Sequence, residues 1–155
     1  MIRAAAALTL VAAIVAAAAA PSVKASIVQR GGANPGEFAV TVRLQPIDLT
    51  LGSYQGTMRY TPGSLAIIAA TTPKGDGTRV VNVADSAKGI VRFAGFTVSG
   101  FATQDVLTIV VRPARKLEDA NLSADLQVAG DLNGVSVPKD RLIPARGISP
   151  NSGLD

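Results

Sequence analysis

Three aspartates, Asp76, Asp85 and Asp105, sit in segments rich in turn-forming residues. Two carboxylates flanking one bond are the machinery of a glycosidase. Nothing in the spacing of these three makes any two converge, and a loop Asp commonly bonds its own backbone to shape a turn. The chain has no His and no Cys. That removes Ser-His-Asp and Cys-His nucleophile systems and every His-based zinc site. Asp131-Leu132-Asn133-Gly134 has the opening of a calcium loop. An EF-hand loop needs oxygen ligands at its fifth and twelfth positions as well. Counted from Asp131 those positions are Val135 and Leu142, so the loop fails as a cation site and Asn133-Gly134 reads as a tight turn. The pattern therefore predicts no catalytic residue, no metal ligand and no cofactor.

The residues with the most to offer a partner are Ser53, Gln55, Thr57 and Arg59. They alternate along one segment and would form a polar stripe on one face of a strand. On a rigid sheet such a stripe gives directional donors and acceptors, and we take these four as candidate partner-binding residues. Alternation alone also produces an ordinary solvated sheet face. Tyr54 and Tyr60 could stack on sugar rings. Their parity with Met58 places them on the inward side of the same segment. The chain has no Trp, so a flat aromatic platform for crystalline polysaccharide is hard to assemble. Asn121-Leu122-Ser123 matches the N-glycosylation pattern.

The elements that must hold these residues have period two. Phe38, Val40, Val42 and Leu44 alternate with Ala39, Thr41 and Arg43, and Pro46 is expected to stop that strand. Further strands are expected at about residues 52–60, 65–70, 79–84, 90–96, 106–112, 122–128 and 135–137. Val91 and Phe93 are expected to point inward in one of them, and Leu122, Leu126 and Val128 to share a side in another. Thr61-Pro62-Gly63, Pro73 to Gly77, Asp85 to Gly89 and Asn133-Gly134 supply the turns between them. Residues 98–105 are expected to be a loop, and residues 114–121 a loop or a short helical turn. About eight short strands at near-regular spacing predict an all-β sandwich or small barrel.

Both ends fall outside that pattern. Met1-Ile2-Arg3 with the small-apolar run Ala4 to Ala20 after it has the layout of a secretory signal peptide. Val23-Lys24-Ala25 suits the peptidase pockets, and Pro21 argues against a cut after Ala20, so residues 1–25 are expected to be removed. The alternative is a retained N-terminal anchor helix, the one route by which this chain would meet a membrane. Loss of Arg3 and Lys24 lowers Lys plus Arg from 15 to 13 against 11 acidic residues, so the net charge falls from +4 to +2. No Lys/Arg cluster with interleaved aromatics remains, and nucleic acid is not an expected partner. Residues 139–155, with Pro144, Gly147, Pro150 and Gly153, are expected to be a weakly ordered tail.

Two stretches resemble cohesin domains. Gly36-Glu37-Phe38-Ala39-Val40-Thr41-Val42-Arg43-Leu44, with Leu51 to Leu65 after it, is similar to their opening strands, the second being aromatic-rich and ending in Tyr-Asp-Pro and a Leu. Gly89 to Gly95, with Asp105-Val106-Leu107-Thr108-Ile109-Val110-Val111 after it, is similar to their later strands. The resemblance covers roughly Ser26 to Val137 and implies a cohesin-like domain over residues 26–138. It implies a two-sheet antiparallel sandwich of jelly-roll topology with eight to nine strands. It also implies an extracellular, non-catalytic role in polysaccharide-degrading systems, through binding dockerin modules. The sequence departs from the pattern at Thr61, where cohesins have Asp. It departs again at Ser53 and Gln55, where dockerin-gripping cohesins present Asn and Asp, so the carboxylate is missing. The same superfamily contains carbohydrate-binding modules, which makes a polysaccharide the alternative ligand. A structural domain of an envelope assembly is the third reading.

Overall fold

The computed structural model describes residues 19–150. Ten strands form two five-stranded sheets. In chain order they are β1 (Ser22–Gly31), β2 (Phe38–Ile47), β3 (Leu51–Arg59), β4 (Leu65–Thr71), β5 (Thr78–Asn82), β6 (Ile90–Phe96), β7 (Asp105–Pro113), β8 (Ser123–Asp131), β9 (Leu142–Ile143) and β10 (Ala145–Arg146). The first sheet has the order β4-β7-β2-β1-β9 and the second β10-β8-β3-β6-β5. All pairings are antiparallel except the short one between β1 and β9.

Alternation explains the sandwich. Val23, Ala25 and Ile27 of β1 are buried, as are Val40, Val42 and Leu44 of β2 and Leu107, Ile109 and Val111 of β7. Across from them lie Tyr54 and Met58 of β3 and Val91 and Phe93 of β6. These side chains form one continuous core between the sheets. Each fully buried aliphatic or aromatic side chain contributes about 1.5–3 kcal/mol through removal from water.

The turns are where their residue types require them. Ser64 donates its backbone N–H to Thr61 O at 3.1 Å, and Gly63 has φ of +76°. Pro62 and Gly63 thus occupy the two central positions of a type II turn, which suit proline and a positive φ. Residues 97–104 link β6 to β7 without a strand, and a short 3-10 turn at Leu117–Ala120 buries Leu117 and Ala120.

Several expectations need correction. Pro46 does not stop its strand, which continues to Ile47. Leu44 donates its N–H toward β7, to Gln104 O at 2.8 Å. Two residues on, the missing Pro46 N–H points the same way, past the last β2–β7 partner pair Arg43–Asp105, so no ladder bond is lost. The expected domain start at Ser26 falls inside β1, whose Val23 and Ala25 are core residues. The rest of the expected leader lies largely in residues 1–18, outside the described residues. The segment after residue 138 carries β9 and β10, buries Ala145, and packs Leu142 and Ile148 against the core. Ser149 donates its N–H to Ile27 O at 2.7 Å. The sandwich therefore reaches into the expected tail.

Candidate functional site

β3 is the central strand of the second sheet, flanked by β6 on one side and β8 on the other. Its inward parity is taken by Tyr54, Gly56 and Met58, so Ser53, Gln55, Thr57 and Arg59 all point away from the core. The pairing register extends them into rows across the sheet. Thr78, Phe96, Ser53 and Gly130 form the first row, and Val80, Ala94, Gln55 and Val128 the second. Asn82, Arg92, Thr57 and Asp125 form the third, and Ile90, Arg59 and Ser123 the fourth, with Arg146 of β10 beside Ser123. Four strands at this spacing span roughly 15 Å.

The face is polarised along β3. Phe96, Val80 and Val128 are 59%, 56% and 48% exposed and give the first two rows an apolar surface. Val135, also exposed, borders this end, its carbonyl lying against the first row beside Gly130. The last two rows carry charge. Asp85 pairs with Arg92 and with Lys88, the latter at 3.0 Å. Its carboxyl is held below the ordinary Asp value, first by the Arg92 hydrogen bond and then by Lys88. Arg146 donates to Asp125 Oδ1 at 2.8 Å, which raises the guanidinium pKa further. Arg59 is exposed and has no ion pair among the described residues. Four cations, Arg59, Lys88, Arg92 and Arg146, thus meet two carboxylates on the face, Asp85 and Asp125, with Glu118 at its edge beside Arg146 and Ser123.

Of the four candidate binding residues, Gln55 and Arg59 are exposed and Ser53 is half-buried. Thr57 is buried, at 6% exposure. Arg92 and Asp125 flank it as cross-strand partners, and its hydroxyl donates to Gln127 Oε1 at 3.4 Å. Of the four it is the least accessible.

Val128 corrects a second expectation. It does not share a side with Leu126. The ladder between β3 and β8 slips between Gln55 and Gly56, where Leu126 and Val128 are consecutive partners and Gln127 is extra. A bulge of this kind reverses the parity of the residues beyond it. It leaves both Gln127 and Val128 outward. Phe96, by contrast, was readable as outward from the inward parity of Val91 and Phe93, both of which are buried.

The other chemical candidates are accounted for locally. Tyr54 and Tyr60 are both in the core, where burial raises their pKa values. Tyr60 Oη donates to Ser86 O at 2.7 Å. Arg79 faces inward from β5 and lies over the Phe101 ring at 4.7 Å, and Phe101 in turn packs against Tyr54. Asp105 pairs with Arg43 at 2.6 Å on the first sheet, while Asp85 belongs to the second. Asp131 Oδ1 accepts the backbone N–H groups of Asn133 and Val135, both at 2.8 Å, which is hairpin chemistry. Asn121 Nδ2 donates to Thr61 Oγ1 and to Asp119 O, both at 3.2 Å.

The outer face of the first sheet differs. Its central polar residues satisfy one another, Thr41 with Thr108 at 2.9 Å and Arg43 with Asp105. The second sheet alone couples exposed large apolar side chains on adjacent strands with an excess of cations.

The two-sheet sandwich has the fold of cohesin modules. A cohesin module from a family 33 glycoside hydrolase of Clostridium perfringens superimposes with a TM-score of 0.59 and 12% identity, covering 83% of this chain and 96% of that one. A non-cellulosomal cohesin from the archaeon Archaeoglobus fulgidus gives 0.54 and 16%, covering 83% and 94%. The sixth cohesin of scaffoldin B from Acetivibrio cellulolyticus, solved in complex with a Cel5 dockerin, gives 0.58 and 16%, covering 83% and 98%. No protein-family model and no curated protein sequence matches the chain.

Proposed function

We propose that this chain is an exported, non-catalytic binding module that takes a dockerin-type protein module on the outer face of its second sheet. The observation that carries the reading is that face itself: exposed Phe96, Val80 and Val128 on neighbouring strands of a rigid sheet, bordered by polar and charged rows. Exposed apolar side chains gathered beside polar and charged ones on a monomer's surface mark a protein–protein contact site. The cohesin fold supports the partner class, since a similar cohesin was solved with a dockerin. Ser53, Gln55 and Arg59 would contact the partner, with Phe96 as the anchor. The Met1-Ile2-Arg3 start and the Ala4 to Ala20 run support export. The glycoside hydrolase that carries one similar module supports a polysaccharide-degrading setting. A protein partner is preferred over a polysaccharide because Tyr54 and Tyr60 are in the core and unavailable to stack on sugar rings.

The test is a titration of recombinant dockerin modules into isotope-labelled protein, monitored by NMR. Binding should move the amide signals of Gln55, Ala94, Phe96 and Val128, and Phe96→Asp should weaken it by about tenfold or more, as loss of an interface anchor does. If no module binds, or if the moving signals lie around Thr41 and Thr108, the proposal fails.

A further inference from the structure

Building on that reading, we infer that the partner docks in one direction, with an acidic end over Arg59 and an apolar end over Phe96. Three observations point the same way. First, the rows separate chemistry along β3: the Phe96 row and the Arg59 row lie six residues apart, roughly 20 Å along a strand. That is the length of an α-helix of about 13 residues, so one helix laid along β3 reaches both ends. Second, the charged end has unspent positive charge. Asp85 is already held by Lys88 and Arg92, and Asp125 by Arg146, whereas Arg59 is exposed and has no ion pair among the described residues. Third, the Phe96 half of the strand offers no countercharge to a basic partner. Ser53 and Gln55 are neutral, and their row neighbours Phe96, Ala94, Val80 and Val128 are apolar.

A carboxylate arriving at Arg59 can form a bidentate pair with a guanidinium that has no other carboxylate claimant among the described residues. A Lys or Arg arriving there would face like charge from Arg59 and its neighbours. Charge patterns of this kind set orientation and reject wrong partners more than they raise affinity. The specificity of the module therefore resides at the Arg59 end, and its grip at the Phe96 end.

The experiment uses a panel of recombinant dockerin modules, each made in two forms. One form carries Glu and the other Lys at the exposed positions of one end of the docking helix. Affinities are measured for the unaltered chain, for Arg59→Glu, for the milder Arg59→Gln, and for Arg30→Glu on the exposed part of β1 in the other sheet. Circular dichroism melts check that each variant is folded. The Glu forms should bind at least about tenfold more tightly than the Lys forms. Arg59→Glu should invert that preference, Arg59→Gln should erase most of it, and Arg30→Glu should leave it intact. Equal or tighter binding of the Lys forms overturns the inference while the binding-module reading stands. So does an equal effect of Arg30→Glu, which would mean that net charge and not position decides. If neither form of any module binds, both the inference and the reading on which it rests are overturned.

Discussion

The Tyr54 ring lies against the α-carbon of Gly95, its cross-strand partner on β6, and fills the space a β-carbon there would need. The arrangement is reciprocated along the ladder, where the Phe93 ring covers Gly56 of β3. Two aromatic side chains thus pack over glycines of the two inner strands of the second sheet. They form the floor under the candidate face, and the glycines are what let them lie there.

Gly95→Ala and Gly56→Ala should each destabilise the fold by about 1–3 kcal/mol, because the methyl group overlaps a ring that has no room to retreat. Urea unfolding at neutral pH measures this. A loss of stability under about 0.5 kcal/mol, the range of surface substitutions, would show that the rings are not packed as described.

Tyr54→Phe should behave in the opposite way. The Tyr54 hydroxyl is buried near the Arg79 guanidinium but makes no well-formed hydrogen bond among the described residues. An unsatisfied buried hydroxyl costs free energy, so its removal should leave stability unchanged or raise it by about 1 kcal/mol. Thermal melts of the variant and the parent chain decide the matter, and a drop of several degrees would mean that the hydroxyl is bonded after all.

Alkaline pH should weaken the fold. Burial raises the pKa of Tyr54, against the opposing charge of Arg79, and burial also raises that of Tyr60. A group whose folded pKa exceeds its unfolded value holds its proton more tightly when folded. Its contribution is complete below the unfolded value near 10 and is lost as the pH rises through the folded value. Phenolate absorbance should therefore lag the ordinary tyrosine titration until unfolding begins. Tyr60→Phe should shift the onset of alkaline unfolding upward.

If the proposed leader is cut, the cut should fall before β1. A cut after Ala25 would remove buried Val23 and Ala25, break the pairing of Ser22 to Ala25 with β2, and strip β9 of its partner. The lost apolar burial alone is worth about 2–4 kcal/mol. N-terminal sequencing of protein recovered from the medium should give a first residue at or before Ser22. A mature chain that begins at Ser26 and remains fully stable would contradict the placement of β1.

Truncation after Pro138 should also cost stability, by roughly 2–4 kcal/mol, since it uncovers the surfaces that Leu142, Ala145 and Ile148 occupy. Denaturant unfolding of the shortened chain measures the change, and an unchanged midpoint would mean that the segment only rests on the surface.

Much of the fold is legible in particular residues. Phe38 to Leu44 and Val106 to Val111 announce themselves because a half-buried strand must alternate. The inward places of Tyr54, Met58, Tyr60, Val91 and Phe93 come from the same parity. β1 carries an equally clear alternation, Val23, Ala25 and Ile27 against Lys24 and Ser26, but the segment also satisfies the composition of a cleavage site, and that reading displaced it. The closing strands β9 and β10 have two residues each, too short for any period to show. The bulge at Gln127 has no local signal either; it arises from the fit of β8 against β3, and it alone turns Val128 outward.

The order of residue types along the chain by itself determined that this protein is built of strands, which side of most strands faces in, and that His and Cys chemistry has no part in it. Those are properties of single segments, set by side-chain period and by the presence or absence of a functional group. Tertiary structure decided which strands lie next to β3, and therefore that Phe96, Val80 and Val128 join Gln55 while Arg92, Asp125 and Arg146 surround Thr57. A strand carries no record of its neighbours, because backbone hydrogen bonds between strands are alike whatever the side chains. The neighbours are chosen by packing over the whole core, and the candidate face comes into being only when that choice is made.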